Sequence, residues 1–294
     1  MSFSSEIKEE LSKMNNLNNK EAIRAEFIGY LISSNITILK RKIRYSTENE
    51  YNINRFNKLL KNLNIDYKIE IQGKVFYIEF KNDIRLDEIE NVDDKIVLNT
   101  NLINIKNENI AKAIVRGTFL GSGSVNNPNN KYHLEMIFNS KENGIFVKQI
   151  LENYYINTKQ MTRKNGFSIY IKDGEEISKF LAFIGSNSSV LKYEEIRVVK
   201  ETRNNINRLV NCETANLNKT INAAIEQIDA IKLIKKKGKF SKLDEPLKEI
   251  AELRIENPEL SLVELGKMLK EPVGKSGVNY RLKKIVQIAK DLEN

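Results

Sequence analysis

Near its carboxyl end the sequence gathers Lys275, Ser276, Asn279, Tyr280, Arg281, Lys283 and Lys284 within ten residues. These side chains suit contact with nucleic acid. Asn matches the donor–acceptor edge of adenine, Arg matches that of guanine, and Lys mostly meets phosphate. A second basic run, Lys235-Lys236-Lys237-Gly238-Lys239, reads as a solvated linker or a phosphate-touching arm. Lys40, Lys42 and Arg44 alternate along a strand-like stretch, so they share one sheet face and are further candidates for phosphate contact.

The elements that must position the first cluster are legible. Leu243, Leu247, Ile250 and Ala251 fall on one face of a helix that stops at Asn257-Pro258. Ser261-Leu262-Val263-Glu264 is a capping box opening a second helix with Leu262, Leu265 and Leu269 inward. A turn with Pro272 and Gly274 leads to a third helix with Val278, Leu282, Ile285, Ala289 and Leu292 at helical spacing. Two short helices joined by such a turn predict a helix-turn-helix over about 261–294, whose last helix enters the major groove. With Val278, Leu282 and Ile285 inward, Asn279, Tyr280, Lys283 and Lys284 face out and Arg281 lies on the flank. The plainer alternative is a small helical bundle with a solvated basic face.

Composition agrees with a polyanionic partner. The 294 residues carry 48 Lys+Arg against 39 Asp+Glu, a formal charge of +9. From residue 232 onward there are 15 Lys/Arg against 10 Asp/Glu, so this part is the more basic by density. One Cys makes no internal disulfide, and one His with one Cys builds no His/Cys zinc site. No apolar run approaches a membrane span, and the polar first ten residues are unlike a signal peptide. A cytoplasmic protein without cofactor or metal is expected. Cys212 is expected to be a buried structural thiol.

The first 190 residues read as one module used twice. Helical segments 21–34 and 109–122 each run into period-two strand text, 36–45 and 132–138. Second helices follow at 52–62 and 143–155. Hairpins close both copies, 67–80 around Gln72-Gly73 and 161–171 around Asn165-Gly166. The offset is about 88 to 93 residues, which describes an α+β fold with a pseudo-two-fold axis. Both first helices end in small residues, Gly29 to Ser34 and Gly117 to Gly123. Small residues let helix backbones approach, so the two helices are expected to pack along this seam. A phosphate-cradling glycine loop is the weaker reading, since no strand precedes the glycines and no Lys-Ser/Thr follows Gly123. A long segment almost free of Gly and Pro, from Tyr193 to Lys235, predicts one or two bridging helices.

The second helix end, Gly117-Thr118-Phe119-Leu120-Gly121-Ser122-Gly123-Ser124-Val125, is similar to the LAGLIDADG helices of homing endonucleases. Across nearly all 294 residues the chain resembles the WhiA family. The stretches that carry this are 116–128, Tyr132-His133-Leu134-Glu135, Tyr193-Glu194-Glu195-Ile196-Arg197, the long string Asn207 to Thr220, and Lys275 to Leu282. The resemblance implies a degenerate LAGLIDADG domain over 1–192, with copies at about 20–85 and 108–190. A helical linker over 193–242 would follow, then an all-α helix-turn-helix domain over 243–294 similar to the promoter-reading region of sigma factors. Asn35 stands where the motif usually has Gly; Asn tolerates the left-handed conformation, so the helix end survives.

LAGLIDADG nucleases place an acidic side chain at the foot of each helix to hold a divalent metal at the scissile phosphates. Ser34 and Ser122 occupy those positions here. A hydroxyl is a poor Mg²⁺ ligand without carboxylate help, and the closest acid, Glu26, lies two turns back. No DNA cleavage is expected. The resemblance thus implies a DNA-binding transcriptional regulator acting in sporulation, cell division or chromosome segregation. Its partners would be double-stranded promoter DNA at the nucleoid and, as protein partners, RNA polymerase, a sigma factor or a cell-division protein, with no membrane involved. The alternatives are an interaction module with only general DNA affinity and an active homing endonuclease.

Overall fold

The computed structural model describes residues 2–39, 42–82, 86–92, 95–163 and 166–293. The chain divides into two compact units, 1–201 and 202–294. No described helix is long and apolar enough to cross a membrane.

In the first unit, α1 (Phe3–Ser12) precedes the first copy of the module. That copy runs α2 (Lys20–Leu31), β1 (Ile36–Leu39), β2 (Lys42–Thr47), α3 (Glu50–Asn62), β3 (Tyr67–Gln72) and β4 (Val75–Lys81). A separate hairpin, β5 (Ile89–Val92) with β6 (Lys95–Leu98), leads to the second copy. This is α4 (Glu108–Ser122), β7 (Ser124–Val125), β8 (Leu134–Phe138), α5 (Lys141–Asn153), β9 (Lys159–Arg163) and β10 (Gly166–Ile171). The sheets are antiparallel and run in the equivalent orders β1-β2-β4-β3 and β7-β8-β10-β9. The duplication is therefore structural. α6 (Gly174–Ile184) follows, and α7 (Asn187–Lys236) is one 50-residue helix spanning the division between the units.

Local chemistry explains where the helices begin. Asn19 accepts from the Glu21 and Ala22 amides, Asn49 from Asn52, Asn107 from Asn109, and Ser140 from Asn143. Each side chain satisfies an amide that the first turn leaves orphaned. The strands alternate: in β8, Leu134, Met136 and Phe138 are buried while Glu135 and Ile137 are partly open.

α2 and α4 form the spine of the first unit along the small-residue seam. A Cβ on Gly117 would overlap the Glu26 carbonyl oxygen, and one on Gly29 would overlap that of Ile114. Backbones this close require glycine. Asn35 does not use the left-handed conformation expected of it, since only Asn64 and Tyr155 among described non-glycine residues have positive φ. Its Nδ2 instead donates to the Gly121 carbonyl at 2.7 Å, tying one helix end to the other.

The stretch 36–45 holds two strands rather than one, β1 and β2, paired antiparallel with Leu39 opposite Lys42. Lys42 and Arg44 share one face of β2; Lys40 and Asn165 lie outside the described residues. Cys212 corrects an expectation. It is exposed, as are all the residues of α7 from 201 to 223.

Candidate nucleic-acid interface

The second unit contains the C-terminal part of α7, then α8 (Glu245–Glu256), α9 (Leu262–Met268) and α10 (Lys275–Asp291). Its core joins Ile231 and Ile234 of α7 to Leu247, Ile250, Leu265, Val278, Leu282 and Ile285. The capping box at α9 is complete: Ser261 Oγ accepts from the Glu264 amide, and Glu264 accepts from the Ser261 amide at 2.8 Å. The turn closes when the Val273 amide donates to the Gly266 carbonyl at 3.1 Å, and a Cβ on Gly266 would overlap the Val273 carbonyl. Buried Arg254 donates to the Leu260 carbonyl at 2.8 Å, pinning the loop between α8 and α9. Sequence periodicity did not single out Arg254, because its spacing on α8 matches a core position but its type does not.

Val278, Leu282 and Ile285 are buried, as their spacing requires. Lys275, Ser276, Tyr280, Lys283 and Lys284 are exposed, Tyr280 at 70%; Asn279 and Arg281 are half-buried. Lys284 Nζ stands 3.5 Å from Asp244, an exposed pair that water screens. From Lys275 to Lys290, α10 carries no acidic residue. Its N-cap, Gly274, supplies no side-chain acceptor, and of the first-turn amides that of Gly277 donates to the Gly274 carbonyl at 3.0 Å; the positive dipole end of the helix suits an anion.

The basic run 235–239 is more ordered than a solvated linker. Lys235 and Lys236 form the last turn of α7, and the Lys239 amide donates to the Ile234 carbonyl at 3.1 Å in a helix-closing turn. Lys235 Nζ lies 4.7 Å from the Phe240 ring centroid. All four lysines remain exposed.

In the first unit, Ser34 and Ser122 stand at the feet of α2 and α4, both half-buried. They meet at one strand residue. Ser122 Oγ donates to the Ile137 carbonyl at 2.6 Å and accepts from the Ile137 amide at 3.3 Å, while the Ser34 amide donates to the same carbonyl at 3.0 Å. The Ser122 hydroxyl is thus spent pinning α4 to β8. Glu26 is equally committed. It accepts from Arg55 Nε at 2.6 Å and from Arg116 Nε at 2.8 Å, and all three side chains are buried. Burial pushes its carboxyl up, but the two guanidinium groups outweigh that and hold it below the usual carboxylate range. Among the described residues, no three of His, Cys, Asp and Glu come together in a metal-holding group.

Beside Ser34 lies an open groove of about 710 Å³ whose lining includes Thr37, Lys95, Asn139, Lys141 and Thr162. Among the described residues its lining holds two lysines and no carboxylate, a lining that suits a phosphate better than a metal ion. Sequence reasoning missed Lys95 and Lys141, because β6 and α5 come to Ser34 only through the fold. On the neighbouring sheet face, Lys42 and Arg44 both pair with Glu79, which they hold below the usual carboxylate range. One of their two positive charges is offset internally. Glu135 similarly pairs with Arg163, and His133 stands 3.8 Å from it.

A family model described as the WhiA C-terminal HTH domain matches residues 206–289, and one described as the WhiA LAGLIDADG-like domain matches residues 111–203. A Clostridium acetobutylicum protein named "Probable cell division protein WhiA" is 41% identical over 314 residues, covering 99% of this chain and 98% of that one. A protein of the same name from Clostridium tetani is 40% identical over the same shares. Among solved structures, full-length DUF199/WhiA from Thermatoga maritima matches with a TM-score of 0.62 at 29% identity, covering 99% of each chain. The N-terminal LAGLIDADG domain of DUF199/WhiA matches 63% of this chain and 90% of that one, with a TM-score of 0.53 at 25% identity.

Proposed function

This chain belongs to the WhiA family, and we propose that it is a DNA-binding transcriptional regulator tied to cell division, without nuclease activity. The observation that carries the DNA reading is α10. It is a recognition helix with its apolar face locked in the core, a basic outer face and no acid across four turns. In this reading the first turns of α10 enter the major groove of promoter DNA. Asn279 and Arg281 touch base edges, and Lys275, Ser276, Tyr280, Lys283 and Lys284 meet the backbone. Lys235, Lys236, Lys237 and Lys239 add affinity that salt screens.

Loss of cleavage follows from the committed groups in the first unit. Both carboxylate positions are serine, the Ser122 hydroxyl is consumed by Ile137, and Glu26 is consumed by two arginines. The lysine-lined groove beside Ser34 gives this unit a phosphate contact without a metal. Lys42 and Arg44 would add less affinity than two unpaired cations, because Glu79 offsets one of their charges. Sporulation, chromosome segregation and a protein partner such as RNA polymerase or a sigma factor belong to the same reading.

The test is salt-titrated binding of the full-length protein to its own upstream DNA and to random DNA. A preference for upstream DNA that Asn279→Ala and Arg281→Ala abolish supports the reading. Equal affinity for both DNAs at physiological salt would move the function to general DNA affinity with a protein partner.

A further inference from the structure

The middle of α7 is a bare helix with one apolar face. From 201 to 223 every side chain is exposed. Ile206, Val210 and Leu217 nevertheless share one face, flanked by Leu209 and Ile221, and each is between 46% and 60% exposed. The same face continues seven and fourteen residues beyond Leu217 as Ala224 and Ile231, which are buried. Asn204, Asn211 and Asn218 occupy the opposite face.

The stripe has a seam. Arg203, Ile206, Val210, Glu213 and Leu217 follow one another at alternating spacings of three and four, the pattern of facing positions in paired helices. Its two charged members have opposite sign and lie five residues either side of position 208. Its two central apolar members lie two residues either side of the same point. We propose that this stripe pairs antiparallel with the same stripe of a second copy of the chain, around a two-fold axis at residue 208. Ile206 then meets Val210 and Arg203 meets Glu213, each pair occurring twice.

Charge selects both the partner and the direction. A parallel pair would set Arg203 on Arg203 and Glu213 on Glu213, which is repulsive. Within one chain, ten residues of helix separate Arg203 from Glu213 by about 15 Å, too far to pair. Neither is engaged in an ion pair or hydrogen bond among the described residues. The antiparallel copy satisfies both charges and covers the apolar face in one arrangement.

The experiment is sedimentation equilibrium of the full-length protein from about 1 to 100 µM, a range that brackets a modest helix–helix interface. A concentration-dependent dimer is expected. Arg203→Glu and Glu213→Arg should each weaken it by at least about tenfold, and the double variant should restore it, because both layers become opposite in charge again. Val210→Lys should leave a monomer of unchanged helicity by circular dichroism. A monomer across the whole range, a dimer indifferent to Arg203→Glu, or a double variant no tighter than the single ones would overturn the proposal.

Discussion

Arg116 donates its Nε–H to Glu26 Oε2 at 2.8 Å, across the seam where α4 meets α2. The same carboxylate takes Arg55 Nε from α3 at 2.6 Å, so one buried anion joins three helices. The surplus positive charge is met by the Met14 and Ile184 carbonyls and by Asn16. Replacing Glu26 with Gln leaves two buried guanidinium groups uncompensated. A loss of about 3–5 kcal/mol is expected in urea unfolding at neutral pH. Removing all three charges together, as Glu26→Leu, Arg55→Met and Arg116→Leu, should cost less than Glu26→Gln alone. The reverse order would mean that the triad contributes little through its charge.

The same group sets a pH dependence. The folded carboxyl of Glu26 titrates below its unfolded value of about 4.3. Its contribution is therefore complete above that unfolded value and is lost as pH falls through the folded one. The stability gap between wild type and Glu26→Gln should narrow between neutral and strongly acidic pH. Urea midpoints at pH 7 and near pH 3 measure it.

The α2–α4 seam has no room for a methyl group at Gly117. Gly117→Ala must push the helices apart, at a cost of about 1–3 kcal/mol or more. By contrast, Gly73→Ala meets no neighbouring atom, and its cost should come only from the positive φ of the β3–β4 turn. Paired thermal melts compare the two.

Wild-type protein should not nick supercoiled plasmid in Mg²⁺ or Mn²⁺. Ser122→Asp should not create nicking either. It removes the donor to the Ile137 carbonyl and sets a carboxylate beside that oxygen, so a loss of about 1–3 kcal/mol in stability is expected instead. Metal-dependent nicking by wild type that Ser122→Ala abolishes would reverse this assignment.

On the DNA side, Lys283→Ala should weaken binding to all sequences alike and reduce the salt slope by about 1. Arg281→Ala should instead lose about 1–3 kcal/mol of discrimination between upstream and random DNA. An unchanged ratio would remove Arg281 from the base-reading set.

What the sequence determined by itself was local or periodic. The capping box at Ser261 and Glu264, the inward face Val278–Leu282–Ile285 and the small residues of the seam are written in neighbouring residues. So are both hairpins and the offset that betrays duplication. Helical and strand periods report which face is buried, whatever buries it. The tertiary structure alone decided where polar side chains find their partners. Glu26 meets Arg55 and Arg116 from 29 and 90 residues away, and Ser122 spends its hydroxyl on Ile137. Glu79 pairs with both Lys42 and Arg44, and Lys95 and Lys141 reach the groove beside Ser34. Cys212 shows the limit from the other side: a lone thiol is by type a buried residue, yet it lies on the stretch of α7 from 201 to 223 whose side chains are exposed. Hydrogen bonds and ion pairs act over a few ångströms, so they depend on which elements the packed core brings together, and no spacing along the chain encodes that.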